Sequence, residues 1–165
     1  MSITHRLLGL AAGLLLSGMA HADWIEESDK SAMLVLESQA AFQPEAIATR
    51  GLSQYDGNIF DLKPNYRERQ TANNKQLINT LETRLQKEAH PKVKQDLQIL
   101  IQALQDENET RRIDSQYMLP YYNIHRTMFG SFNALLDARN DKSRYPAALE
   151  RLRKYTGVAE GYTPI

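Results

Sequence analysis

Apolar residues in this chain recur three and four positions apart, and no segment alternates apolar and polar residues at a period of two. The clearest apolar stripe follows His90-Pro91 and lies on one face of a 3.6-residue repeat. Its members are Val93, Leu97, Leu100, Ile101 and Leu104. The pattern predicts a helix that ends near Asp114, in a protein built from helices alone.

Further helices are predicted by weaker stripes and by the residues that start and stop them. Their ranges are 24–42, 44–50, 64–89 and 120–139, and a last helix contains Tyr145 and is ended by Gly157. Proline suits a first helical turn, whereas the residue before a proline leaves the helical region, so His90-Pro91 separates two helices. Because the connections are short, we expect an all-α bundle of about five to six antiparallel helices.

The same spacing predicts which face each of these helices buries. The inward residues of helix 24–42 are expected to be Ile25, Ala32, Met33, Leu36 and Ala40. Those of helix 64–89 are expected to be Leu77, Ile78, Leu81 and Leu85. Those of helix 120–139 are expected to be Tyr121, Ile124, Met128, Phe132 and Leu135. Those of the last helix are expected to be Tyr145, Ala148, Leu149 and Leu152.

The beginning of the chain has the organisation of a secretory signal peptide. A cationic pair, His5 and Arg6, precedes an uncharged stretch over residues 7–19, and Ala20-His21-Ala22 supplies the small residues of a cleavage site. The apolar part is too short to cross the ~30 Å core of a bilayer. We therefore expect residues 1–22 to be removed after Ala22 and residues 23–165 to be exported, free of the membrane, to the periplasm or the medium.

Charge and cysteine content exclude several classes of protein. The 20 basic residues balance the 20 acidic ones, whereas a general binder of nucleic acid or anionic membranes carries a basic excess on one face. The densest basic spots are Arg111-Arg112 and Arg151-Leu152-Arg153-Lys154, and each is expected to lie on a solvated helix face or to complement a helix C-terminus. The chain has no cysteine, so neither a disulfide framework nor a thiolate site is available.

The usual catalytic motifs are missing from this sequence. It has no His-Glu-x-x-His segment, no G-x-S-x-G elbow and no phosphate-binding glycine loop. Two histidines follow the signal peptide. His90 is expected to be solvated or bonded to backbone, and His125 is expected to be buried against Tyr121 and Tyr122, one helical turn away. The alternative for His125, which is followed by Arg126, is that it lines a cleft.

One loop and one aromatic segment supply the candidate site residues. Asp56 lies in the turn-forming sequence Tyr55-Asp56-Gly57-Asn58, where an aspartate usually accepts backbone N–H bonds or caps the next helix. The residues considered for a cleft are Tyr55, Asp56, Asp61, Tyr121, Tyr122, His125 and Arg126. Both a structural and a cleft-lining role are open for them.

Several short motifs follow one another in a specific order over residues 28–165. They are Pro44-Glu45-Ala46, Ala48-Thr49-Arg50-Gly51, Tyr55-Asp56, Asp61, Pro64, Asp96-Leu97-x-Ile99-Leu100, Leu119-Pro120-Tyr121-Tyr122 and Gly161-Tyr162-Thr163-Pro164. In that order they resemble the N-terminal part of a large bacterial family, the domain of unknown function 885 family. Where the family commonly has Ser or Thr before the helix-opening proline, this chain has Lys63, so Asp61 is expected to act at that helix start instead.

The resemblance implies that this chain is the N-terminal helical region of a much longer exported protein. Full-length family members carry, farther along, a His-Glu-x-x-Pro-Gly-His segment like that of zinc metallopeptidases. That segment is missing here, so we expect a truncated chain with no catalytic or metal residues, while zinc and peptide substrate engage the part that is missing. The residues also leave open a non-catalytic periplasmic module that binds a peptide or protein partner.

Overall fold

The computed structural model describes residues 24–61 and 63–165, so the predicted signal peptide lies outside the described residues. Within these ranges the chain forms six α-helices and contains no β-strand. The helices are α1 over residues 24–40, α2 Pro44–Ala48, α3 Tyr66–Lys87, α4 Pro91–Tyr117, α5 Ile124–Leu135 and α6 Pro146–Tyr155. The predicted all-α class is confirmed.

Helices α3 and α4 form an antiparallel hairpin. The short link between them is held by the Glu88 carboxylate, which accepts the N–H groups of Ala89 and His90 at 2.8 and 2.7 Å. The His90 N–H bond is the main reason that the pKa of Glu88 lies below its ordinary value. His90 is extended, with φ −75° and ψ 123°, which is the conformation that a following proline imposes.

The main core lies between these two helices. Its buried residues are Leu77, Leu81, Val93, Leu97, Ile101 and Leu104. Leu100 was predicted to belong with them, but it is only partly buried and packs at the edge of the cluster. Ile78 and Leu85, which were predicted inward on α3, are also only partly buried at the edge of the cluster. The remaining residues of the two predicted stripes are buried, as the regular apolar spacing requires.

Helix α1 lies along the α3–α4 hairpin and completes a three-helix layer. Ser28 donates to Asp96 at 2.7 Å, and Arg84 donates to Ser31 at 3.2 Å. Trp24 stacks on His90 with the ring centroids 6.0 Å apart. His90 was expected to be solvated or bonded to backbone. Its ring is instead partly buried against Trp24, and its Nδ1 atom has no hydrogen-bond partner among the described residues.

The inward face predicted for α1 is wrong at two of its five residues, since Ala40 is buried and Ala32 and Leu36 are partly buried as predicted. Ile25 and Met33 are exposed, whereas Leu34 and Val35 pack against the core and Ser31 is buried. Helix α1 carries two apolar stripes, and the inward one includes serines that bond to polar groups of α3 and α4. These polar partners come from distant segments, so the spacing within α1 could not distinguish the two faces.

The second layer contains α2, α5 and α6 with the loops that join them. Gly51 and Gly157 follow α2 and α6 with positive φ angles of 103° and 70°, as predicted for helix-ending glycines. Helix α5 begins at Ile124 instead of Pro120, because the side chain of Asn123 accepts the Arg126 N–H at 3.0 Å and caps the helix there. No helix among the described residues is long and apolar enough to cross a membrane.

Candidate functional site

A cavity of about 290 Å³ opens between α2, the loop before α3 and the beginning of α5. We call it the aromatic pocket, because four aromatic rings line it. These are Phe60, Tyr121, Tyr122 and Tyr155. The remaining wall is largely polar and includes Gln43, Glu45, Asn123 and Thr127. Glu45 is the one residue with a charged side chain among those that line this pocket.

Glu45 is buried at the beginning of α2, with 4% of its surface exposed. Its Oε1 atom accepts the backbone N–H of Phe60 at 2.7 Å and the hydroxyl of Tyr155. Its Oε2 atom is also buried and has no hydrogen-bond partner among the described residues. A buried acceptor without a partner costs about 1–3 kcal/mol, and more when it is charged, so this carboxylate is an unusual feature of the wall.

Tyr155 fixes the orientation of Glu45 from the end of α6. Burial raises the pKa of the Tyr155 phenol, and its hydrogen bond to Glu45 raises the pKa further. The hydroxyl therefore keeps its proton at neutral pH and remains a donor to Oε1. Glu45 was not among the site residues expected from the sequence. The available signal was an acidic residue in a short helix whose next residues are Ala46, Ile47 and Ala48.

The aromatic wall is fixed by contacts between its rings. The Phe60 ring lies 4.9 Å from that of Tyr66 and 5.9 Å from that of Tyr122, measured between centroids. Tyr66 is buried behind them, and its hydroxyl accepts side-chain N–H groups of Gln43 and Gln70 at 3.1 and 3.0 Å. Burial raises the pKa of Tyr66 to about 12.

Two of the sequence candidates, Tyr121 and Tyr122, line the aromatic pocket. Tyr122 reaches the ring cluster, whereas Tyr121 is 75% exposed at the rim. Both belong to the non-helical segment before α5, so the predicted burial of Tyr121 in a helix is wrong. The late start of α5 also removes the one-turn relationship between these tyrosines and His125.

His125 and Arg126 are exposed on the first turn of α5, and neither lines the aromatic pocket. The predicted burial of His125 against Tyr121 and Tyr122 is therefore wrong. Ile124 and Thr127, which flank these two residues, line the pocket instead. The prediction assumed a helix from Pro120, and the Asn123 cap moves the first helical turn beyond the tyrosines.

Tyr55 and Asp56 lie outside the aromatic pocket and hold the second layer together. Asp56 is buried and accepts two bonds from Arg144, from Nε to Oδ2 and from Nη2 to Oδ1, both at 2.7 Å. The expected backbone N–H partners of Asp56 are thus replaced by a guanidinium, and this contact raises the pKa of Arg144. The carbonyl of Tyr55 accepts Arg151 Nη2 at 3.3 Å.

The basic run of α6 was expected on a solvated face or at a helix C-terminus. Arg153 and Lys154 lie in the last turn of α6, but Arg151 and Lys154 are buried rather than solvated. Arg151 is 1% exposed, and besides Tyr55 it donates to the carbonyls of Asn58 and Ser131 at 3.1 and 3.4 Å. Desolvation lowers the pKa of Arg151. Lys154 is also buried and donates to the Gly57 carbonyl at 2.8 Å.

These bonds turn the opposite face of α6 outward. The predicted core residues Leu149 and Leu152 are exposed, and Ala148 is buried as predicted. Long basic side chains can bury their stems when buried carbonyl groups receive their donors.

Asp61 acts at the beginning of α3, away from the aromatic pocket. It accepts the Lys63 N–H at 2.8 Å and pairs with Arg69 in the first turn of the helix. Desolvation opposes ionisation of Asp61, but the bonds from Arg69 and Lys63 together hold its pKa below the ordinary value. Asp61 thus stabilises this helix start as expected, although Asn65, with φ 56°, occupies the position before α3.

The described residues contain no group of three or more His, Cys, Asp or Glu side chains that could hold a metal ion. Comparison with family models, characterised proteins and solved structures found no match to this chain. The geometry of the aromatic pocket is therefore the basis on which it is the candidate site.

Proposed function

We propose that this chain is a peptide-binding helical region of an exported, zinc-peptidase-like protein of the domain of unknown function 885 family. In this proposal the chain forms one wall of a substrate cleft, and the metal and general base belong to a part outside this chain. The observation that carries the binding role is the aromatic pocket with the buried Glu45 carboxylate. The family order of motifs supports the rest of the proposal.

The segment beside the pocket favours a peptide as the ligand. Tyr117, Met118, Leu119 and Tyr121 are all exposed, although large apolar residues are usually covered. Met118 is extended, with φ −120° and ψ 140°. In the part of the chain that the structure describes, the N–H groups of Leu119 and Tyr121 have no backbone acceptor. An extended peptide laid along this segment would supply such acceptors.

The size and chemistry of the pocket favour binding over catalysis. Its volume is close to the lower limit of about 300 Å³ for small-molecule sites, so it accommodates a side chain or a peptide terminus. Glu45 and Tyr155 are hydrogen-bonded to each other, and no histidine or lysine is among the residues that line the pocket. The wall therefore offers aromatic anchors and no nucleophile with an adjacent base.

A second candidate function is a non-catalytic periplasmic module that binds a peptide or protein partner by itself. The closed apolar core between α3 and α4, with Leu81 fully buried, favours this candidate because the binding wall rests on a stable support. Reading the coding sequence beyond Ile165 separates the two. An open frame that reaches a His-Glu-x-x-x-x-His-type segment supports the peptidase-like protein, and a stop codon supports the module.

Peptide binding is tested by titrating the purified chain with short extended peptides while its amide NMR spectrum is recorded. Tyr121→Ala removes a pocket ring, and Phe129→Ala is the matched control, because Phe129 is an exposed aromatic residue that does not line the pocket. We expect Tyr121→Ala to weaken binding and Phe129→Ala to leave it unchanged. Equal effects of the two variants, or no binding by the unaltered chain, would contradict the proposal.

A further inference from the structure

The charge on the pocket wall indicates the chemistry of the ligand. Glu45 carries the one charged side chain among the residues that line the aromatic pocket, and its Oε2 atom is buried without a hydrogen-bond partner among the described residues. Its Oε1 atom already accepts from Phe60 and Tyr155. A ligand that reaches Glu45 must therefore bring a donor to one oxygen atom, and a cationic donor also compensates the carboxylate charge.

Arg151 does not supply that donor, although its charge lies close enough to interact with Glu45. Its guanidinium nitrogens donate to the carbonyls of Tyr55, Asn58 and Ser131. Arg151 is also absent from the pocket wall and lines a separate small cavity beside Asp56. Asp56 is already paired with Arg144. The Glu45 carboxylate thus lacks a direct cationic partner among the described residues.

The surrounding rings favour the same kind of ligand. The faces of Phe and Tyr rings attract cations, and this attraction strengthens where water is removed. Four such rings line the pocket around Glu45. Aromatic rings arranged around a ligand are known to recognise quaternary ammonium groups.

The number of free acceptor atoms distinguishes between cations. A guanidinium binds a carboxylate best through two parallel bonds to both oxygens, but Oε1 of Glu45 is already occupied. An ammonium is a compact charge with three donors. One of its donors satisfies Oε2 once the Glu45 carboxylate turns this buried atom toward the cavity, and the side-chain oxygens of Gln43 and Thr127 are further acceptors on the wall. A quaternary ammonium has no N–H donor for Oε2.

We propose that the aromatic pocket binds the primary ammonium group of a peptide, with Glu45 Oε2 as its acceptor and the aromatic rings around its apolar stem. This inference rests on the proposed peptide-binding function and adds the ligand group that is recognised. A lysine side chain and a free peptide N-terminus carry the same group. The two sources are separated by experiment.

Isothermal titration calorimetry with three peptide probes tests the inference. Acetyl-Ala-Lys-Ala-amide carries a side-chain ammonium, Ala-Ala-Ala-amide carries only an N-terminal ammonium, and acetyl-Ala-Ala-Ala-amide carries neither. We expect one of the two cationic probes to bind at least about ten-fold more tightly than the neutral probe, as a charged hydrogen bond predicts. Equal binding of all three overturns the ammonium inference and leaves peptide binding in place, whereas binding of none overturns both.

Two variants assign the recognition to this pocket. Glu45→Gln keeps the shape and an acceptor for Tyr155 and Phe60 but removes the charge, so we expect it to abolish the preference for the ammonium probe. Tyr121→Leu removes only an exposed rim ring, so folding is preserved, and we expect about two- to five-fold weaker binding of that probe. An unchanged preference in a folded Glu45→Gln protein, or unchanged affinity in Tyr121→Leu, overturns the assignment.

Discussion

Asp56 and Arg144, which are 88 residues apart in the sequence, form a two-bond ion pair with both distances at 2.7 Å. The pair connects the loop after α2 to the turn before α6, and Arg144 also donates to the Ala48 carbonyl at 3.3 Å. Arg151 reinforces the same loop from α6 by its bond to Tyr55. The aromatic pocket lies on this layer, so its geometry depends on contacts between segments that are distant in sequence.

The first prediction concerns the Asp56–Arg144 pair. Asp56→Asn should lower the free energy of unfolding by roughly 1.5–3 kcal/mol, because it removes a charged hydrogen-bonding partner from a buried position. Urea unfolding followed by circular dichroism measures the change. Asp137→Asn is the matched control, since Asp137 also pairs with an arginine but does so at the surface, and we expect no measurable loss there. Equal stabilities of the two variants would show that the buried pair contributes nothing.

The second prediction separates the observed core from the core predicted by spacing alone. Leu97→Ala should cost roughly 2–5 kcal/mol, because Leu97 is buried between α3 and α4 and its truncation leaves a cavity. Leu149→Ala should cost less than about 0.5 kcal/mol, because 54% of Leu149 is exposed. Chemical unfolding of both variants provides the comparison. A large loss of stability in Leu149→Ala would instead show that the face of α6 predicted from the sequence spacing is the buried one.

The α3–α4 hairpin could be predicted from sequence because its core consists of leucine, isoleucine and valine at regular spacing on two long helices. The face of α6 could not be predicted in this way. Arg151 and Lys154 are buried there because carbonyl groups of the Tyr55–Asn58 turn accept their donors. Those acceptors lie in a distant segment, and no local pattern within α6 reveals them.

The candidate site was predictable only in part, for related reasons. Tyr121 and Tyr122 were selected as a cluster of aromatic residues, and they line the pocket. Glu45 was missed because its partners, the Phe60 N–H and the Tyr155 hydroxyl, come from two other segments. His125 was misplaced because an asparagine cap shifted the start of α5 by a few residues.

The third prediction concerns stability at alkaline pH. Burial raises the pKa of Tyr66 from 10.0 in a model compound to about 12. The unfolded chain therefore loses this proton first, so the contribution of Tyr66 to stability is complete below about pH 10 and is lost as the pH rises toward 12. Urea unfolding between pH 9 and 12 should show this decline in the free energy of unfolding. Tyr66→Phe should make the free energy of unfolding fall less steeply with pH. Tyr117→Phe, at an exposed tyrosine, should leave the slope unchanged.

The fourth prediction concerns export, which depends on residues outside the described structure. The cationic pair, apolar stretch and Ala20-His21-Ala22 sequence predict cleavage after Ala22. Intact-mass measurement of protein from the periplasm or the medium should therefore give a chain that begins at Asp23. A protein that retains Met1 in the cytoplasm would refute this prediction.

The most direct test of the central claim is a map of amide chemical-shift changes in the ¹⁵N-labelled chain when acetyl-Ala-Lys-Ala-amide or Ala-Ala-Ala-amide is added. If the aromatic pocket binds a peptide ammonium, the chemical-shift changes should concentrate at the amides of Phe60, Asn123 and Thr127, because these three residues line the pocket. The amide of Leu97, in the core of the α3–α4 hairpin, should not move. Changes confined to the hairpin, or none with either peptide at saturating concentration, would contradict the claim that this pocket is the functional site.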